Sequence, residues 1–285
     1  IPVDIQLKLF DCLILPIMIY SSEVWGFENK QGLERMHLQF CKNILHVRKS
    51  TPNFMVYGEL GRYPIDITIK LRMVMFWNDM LSSENKLSNT LYRLMIQLHQ
   101  SKPTHFKWVT YIKSIFDECG LTFIWNDQIP MNREILKSLV KQKLVDQFIQ
   151  QWFSVINNSS RGEFYGKFKS IFELEPYLLR LGNTDRLYMA KFRCSNLKFP
   201  IETGRWKNIL KENRICHLCN QNIGDEYHYL CVCSHPSVSL LRQNLVPNYY
   251  LQYPSRQKLI GLLSFCNIKV YRKVCTFLRK ITYFL

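Results

Sequence analysis

The stretch RICHLCNQNIGDEYHYLCVC, residues 214–233, gathers metal-competent side chains at ligand spacing, which nothing else in the chain does. Cys216 and Cys219 form a C-x2-C pair, and His228 follows after eight intervening residues. Zinc takes four ligands in a tetrahedron, and thiolate sulfur and imidazole nitrogen are its preferred partners. A two-residue gap lets both sulfurs of one turn face one ion. Gly224-Asp225 can reverse the chain, so that His228 returns on a short helix or turn together with a fourth ligand. Spacing leaves that ligand open between Cys231 and Cys233, with His217 and His235 flanking the set. Four protein ligands leave no open coordination position, so the expected role is structural. The chain has ten cysteines, and a cysteine is often no more than a small buried hydrophobe. Cys12, Cys41, Cys119, Cys194, Cys266 and Cys275 lie among apolar residues and read as core. Disulfides are the weaker alternative, because no secretory signal is visible and 285 residues bury a core without covalent staples.

Around this set the chain reads as mainly α. Hydrophobic residues make up 47% of it, which argues against disorder, and glycine and proline number only 11 each. The fold expected is an irregular helical array with a small zinc-stabilised finger near the C-terminus. The chain opens on Ile1, already in an apolar helical pattern, and so reads as a piece of something longer. Its longest apolar run, Cys12 to Tyr20, contains Pro16 and is too short to span a bilayer, so no membrane partner is expected. The formal charge is +16, and residues 183–285 hold 16 of the 38 basic residues against 5 of the 22 acidic ones. A solvated basic face is one reading of that excess. Beside a zinc-type motif, nucleic acid is the favoured partner.

Periodicity places helices at 4–20, kinked or ended near Pro16, and at 32–46. Ser50-Thr51-Pro52 starts another, interrupted over Gly58 to Pro64, and a longer helix runs from Pro64 to Leu81. The polar stretch Ser82 to Asn89 is the best boundary, and Ser101 to Thr104 reads as a loop between helices at 90–99 and 106–118. Met131 to Ile156 is the strongest helix, with an apolar stripe through Ile135, Leu139, Val145, Phe148, Trp152 and Ile156. Shorter helices are expected at 164–172, 176–181 and 184–194, then at 236–244, 255–265 and 268–282. The last would be amphipathic, with Arg272, Lys273, Arg279 and Lys280 on a basic face.

Three separated stretches resemble the region downstream of the polymerase palm in non-LTR (LINE-type) retrotransposon reverse transcriptases. The first is LPIMIYSSEVWG, Leu15 to Gly26, with Ser21 where the family commonly has glycine. The second is STPNFMVYGELGRYP, Ser50 to Pro64. The third runs from Lys191-Phe192-Arg193 through Glu202-Thr203-Gly204-Arg205-Trp206 to Arg214-Ile215-Cys216 and on to Glu226-Tyr227-His228-x4-Cys233. They follow the family's order, with unmatched sequence between. The resemblance implies Cys216, Cys219, His228 and Cys233 as zinc ligands, choosing Cys233 over Cys231. It implies a thumb-like helical segment at 1–82, a helical linker domain at 83–200 and a basic zinc-finger and C-terminal helical region at 201–285. It also implies an intracellular protein of nucleus or cytoplasm, partnered by the N-terminal polymerase part of the same polyprotein. That part would carry the paired catalytic aspartates.

This chain has no Asp-Asp pair, no glycine-rich phosphate loop and few clustered carboxylates, so it is expected to bind rather than catalyse. The binding candidates are Arg193, Arg205, Trp206, Lys207, Lys211 and Arg214, which lead into the finger. Lys and Arg would neutralise phosphates of RNA or DNA, and Trp206 would stack on an unpaired base or serve as a core anchor. Glu226, two residues before His228, would either orient that ligand or lie in solvent. The alternative function is a non-catalytic retroelement relic, or a domesticated protein-interaction domain that uses zinc only to fold.

Overall fold

The structure, a computed structural model, describes residues 1–28, 30–82, 86–101 and 106–285. Among the described residues the chain is helical throughout, with 18 α-helical segments and no β-structure beyond two isolated bridges. The boundary expected at Ser82 to Asn89 falls partly on residues 83–85, and the loop expected at Ser101 to Thr104 on residues 102–105. Residues 83–85 and 102–104 lie outside the described residues, whereas 86–89 begin helix Lys86–Ser101 and Ser101 ends it. No described helix is long and apolar enough to cross a membrane.

The chain forms two compact units that are not consecutive stretches. One comprises residues 7–37 and 63–152, the other 1–6, 38–62 and 153–285. In the first, helix Ile65–Ser82 is the central element, and helices Ser22–Trp25, Lys86–Ser101 and Lys107–Glu118 pack on it. Trp77 anchors that core: its ring meets Phe116 edge-on at 4.9 Å and Trp125 at 5.8 Å. Its indole N–H donates 2.8 Å to the Tyr92 hydroxyl, which donates 2.6 Å to Gln128, so the buried polar tip is satisfied. Pro16 lacks the N–H that would continue an α-helix. The chain answers with a π-turn over Phe10–Ile14 before resuming as Leu15–Met18.

Periodicity located most helices within a few residues, and it erred in register once. On helix Arg133–Asn158 the buried positions are Leu136, Val140, Leu144, Trp152 and Ile156, the last two as expected, whereas Ile135 is exposed. Spacing of four follows the true helical face, and the wider gaps counted through Ile135 and Val145 drift off it. The Gly58 to Pro64 interruption is also shorter than expected. Gly58 lies inside helix Asn53–Leu60, and the break comes at Gly61, whose φ of 57° favours glycine.

The second unit carries the C-terminal elements. Helix Ile268–Ile281 buries Tyr271, Val274, Leu278 and Ile281 against helices Asn183–Arg193 and Pro236–Leu245, and exposes Arg272, Lys273, Arg279 and Lys280. At its centre lies an ion network. Glu59 is fully buried, and it accepts from Arg193 Nε at 2.9 and 3.1 Å and from the Tyr177 hydroxyl at 2.6 Å. Arg193 also meets Glu175 at 3.0 Å and donates 2.6 Å to the Leu263 carbonyl, while Lys169 pairs with Glu175. Two cations thus face two anions with their donors used, the condition under which buried charge is tolerated.

Candidate metal centre

The C-x2-C pair sits on a small hairpin. Ile215 and Ile223 form an antiparallel bridge, the Cys216 N–H donates 2.8 Å to Asn222 O, and the Gly224 N–H donates 2.9 Å to Arg214 O. Asn220, at φ 54°, closes the turn by donating 2.9 Å to Cys216 O. Gly224 is needed for proximity. A Cβ there would stand 2.7 Å from Pro200 Cγ and 3.1 Å from Cys216 Cα. The return segment is a π-turn, His228–Val232, in which the Cys233 N–H donates 2.8 Å to His228 O.

That π-turn brings Cys233, and not Cys231, up to the other three. A bond from residue i+5 to residue i places Cys233 beside His228, while Cys231, three residues on, faces elsewhere. Cys216, Cys219, His228 and Cys233 bring their ligand atoms within 4.8 Å of one another, and Cys231 is not among them. Cys216 Sγ lies 3.9 Å from Cys233 Sγ, and Cys219 Sγ lies 3.3 Å from His228 Nε2. Bonds of about 2.3 Å to sulfur and 2.0–2.1 Å to nitrogen give a zinc tetrahedron edges of roughly 3.5–3.8 Å. The group could therefore hold a metal ion.

Its surroundings suit a cation. Burial pushes the Cys233 thiol up to about 12, with the Cys216 and Cys219 sulfurs adding to the effect. At Cys219 burial acts in the same direction, but hydrogen bonds from the Gln221 backbone and the neighbouring thiols outweigh it and hold the thiol below its usual range. Burial lowers His228, with Arg242 adding to it, which favours the neutral imidazole a metal requires. The Cys216 thiol donates 3.4 Å to the Tyr229 hydroxyl, whose own proton burial retains. The Tyr229 ring stacks on Phe199 at 4.6 Å. Arg242 donates 2.9 Å to the Cys233 carbonyl. The carboxylate that holds the His228 turn is Asp225, which accepts the His228 N–H at 2.7 Å and pairs with Arg256 at 2.6 Å. Glu226 neither orients His228 nor lies in solvent. It is buried near Ser195, and burial raises its carboxyl to about 7.

The other candidates separate. Arg193 is corrected: at 1% exposure inside the Glu59–Glu175 network it cannot reach a phosphate. Arg205 is half-buried and donates to Ser160 Oγ and O. Arg214 donates to the Ile209 and Ile201 carbonyls, with its stem lying where a Gly204 side chain would be. Lys211 pairs at the surface with Glu163 at 2.6 Å. Lys207 is exposed and lines a cleft of about 160 Å³ with Arg214 and His217. Trp206 is 50% exposed, too open for a core anchor, and the Arg48 guanidinium lies 4.3 Å over its ring. Sequence reading missed Arg48, far away in the chain, and Arg242 and Arg256, which carry no motif. Two of the six scattered cysteines also depart from core positions, Cys12 being exposed and Cys266 half-buried. Searches against protein-family models, curated proteins and solved structures find no match to this chain.

Proposed function

We propose that this chain is the nucleic-acid-binding C-terminal portion of a non-LTR retrotransposon reverse transcriptase, lacking the catalytic palm, in which a structural zinc ion holds a finger that grips template RNA or target DNA. The observation that carries the reading is the convergence of Cys216, Cys219, His228 and Cys233 in the part of the chain with the largest positive excess. Beside that group Lys207 and half of the Trp206 ring stand open to solvent, a cation and a stacking surface. The order of the three family-like stretches supports the assignment. Lysines would neutralise phosphates, and the polymerase part of the same polyprotein would supply the catalytic aspartates.

Fluorescence anisotropy with short labelled RNA and DNA strands tests it. Log affinity should fall linearly with log salt, and Lys207→Gln should reduce the slope by ~0.7 on single strands. Trp206→Ala should weaken single-strand binding by ~1–3 kcal/mol. Absence of binding by wild type, or affinity indifferent to salt, would sink the proposal. A second reading, a zinc-stabilised protein-interaction domain, is favoured by the exposed stripe Leu91, Leu94 and Leu98 on helix Lys86–Ser101. Under it the metal is retained and nucleic acid is not bound.

A further inference from the structure

A concavity of about 450 Å³ opens beside the Arg48–Trp206 stack, in the unit formed by residues 1–6, 38–62 and 153–285. Arg48, Lys191, Lys198, His46 and Tyr188 line it together with Leu285, the last residue, and no Asp or Glu side chain does. None of the candidates chosen from the sequence lies on its wall. We propose that this concavity is a phosphodiester site, where a backbone phosphate of single-stranded nucleic acid rests among Arg48, Lys191 and Lys198 while the adjoining base lies on Trp206. The inference rests on the nucleic-acid reading above and adds a second contact surface to it.

The site is built. Arg48 is fixed at both ends: its backbone N–H donates 3.1 Å to Asn196 Oδ1, and Nη2 donates 2.7 Å to Asn196 O. Asn196 is itself buried and donates 2.6 Å to Thr51 Oγ1, while its N–H donates to Lys191 O. The STPN turn and the chain after Lys191-Phe192-Arg193 are thereby held together. The ammonium groups of Lys191 and Lys198 and the Tyr188 hydroxyl have no hydrogen-bond or ion-pair partner among the described residues. The nearest acid acting on Arg48 is Glu202, already engaged by Arg161 and Arg205.

An arrangement made for stability would place an anion here. Lys191 is partly buried and feels the like charge of Arg48, and both effects work against its protonated form. Uncompensated cations around a concavity are poised for an anion from outside. A stacked arginine and a half-exposed indole at its edge add the platform that unpaired bases use. A duplex would leave that platform idle.

The test measures oligonucleotide affinity against salt for wild type, Lys198→Gln and Lys191→Gln/Lys198→Gln, with melting temperatures and with Trp206→Phe as the fluorescence control. Each single-strand phosphate contact contributes a slope near ~0.7, or roughly fivefold between about 0.1 M and 1 M salt. The double variant should lose up to ~0.7 of slope, the share of the one phosphate held there, and bind about fivefold more weakly at about 0.1 M salt. It should melt at or above the wild-type temperature, because it relieves like-charge crowding. Lys198 is exposed, so Lys198→Gln alone should fold and show a smaller loss in the same direction. Oligonucleotide, and not inorganic phosphate, should quench the Trp206 component of the emission. Unchanged slopes in both variants with intact wild-type binding would overturn the site and leave the finger as the contact surface. Equal quenching by inorganic phosphate would reassign it to free phosphate and also overturn the proposal. Failure of wild type to bind at all would overturn both readings.

Discussion

Chelating the metal, or replacing Cys216 with serine, is expected to unfold residues 214–233 and to lower the stability of the unit that contains them by about 5 kcal/mol. That is less than the ~10–16 kcal/mol that structural zinc supplies to an isolated finger. Here Tyr229 keeps its stack on Phe199, and Leu230 is buried, without the ion. The loss is still a large share of a domain stability of ~5–15 kcal/mol. Without the ion the segment keeps one bridge, a few backbone hydrogen bonds, the Asp225 contacts to the His228 N–H and Arg256, the Arg242 bond to the Cys233 carbonyl and the Tyr229–Phe199 stack. Three buried or half-buried thiols and an imidazole lie close enough together there to hold a metal ion. Urea unfolding with and without chelator, read alongside hydrogen exchange of the 214–233 amides, measures the effect. Superimposable unfolding curves and unchanged exchange would contradict a structural metal.

Breaking the Glu59–Arg193 pair is expected to be nearly as damaging. Arg193→Ala removes the counter-charge of a carboxylate with no exposed surface and empties space under Phe168 and Tyr177, whose rings the guanidinium covers at 4.7 and 5.3 Å. Leaving a buried charge unpaired costs ~3–5 kcal/mol. The double replacement Glu59→Leu/Arg193→Met should be less destabilising than either single change. It removes one charge of each sign and leaves Glu175 with Lys169, still a neutral pair. Buried ion pairs exchanged for apolar groups of similar size are often neutral in stability or better. Additive losses in the double variant, seen by thermal or denaturant unfolding, would show that the pair is not coupled in this way.

The same residues show what sequence could and could not reveal. Glu59 is a lone acid on the apolar helix Asn53–Leu60, and its partner Arg193 lies far along the chain in Lys191-Phe192-Arg193. Local pattern marks both as charged and exposed by default, and only the fold brings them together. The helix Arg133–Asn158 was visible from its apolar residues, yet its buried face was misread because near-neighbours such as Ile135 and Leu136 are equally apolar. Cys216, Cys219 and His228 were fixed by spacing alone. Cys233 was not, since an α-turn and a π-turn from His228 select different cysteines, and nothing in HYLCVC announces the wider turn. Arg48 over Trp206 is invisible to any local reading.

The most direct test is the zinc content of the chain purified under reducing conditions, in wild type and in Cys231→Ser and Cys233→Ser. Elemental analysis should find one zinc per chain in wild type, the same in Cys231→Ser, and a loss in Cys233→Ser. Zinc-free wild type, or loss in Cys231→Ser with retention in Cys233→Ser, would contradict the centre described here.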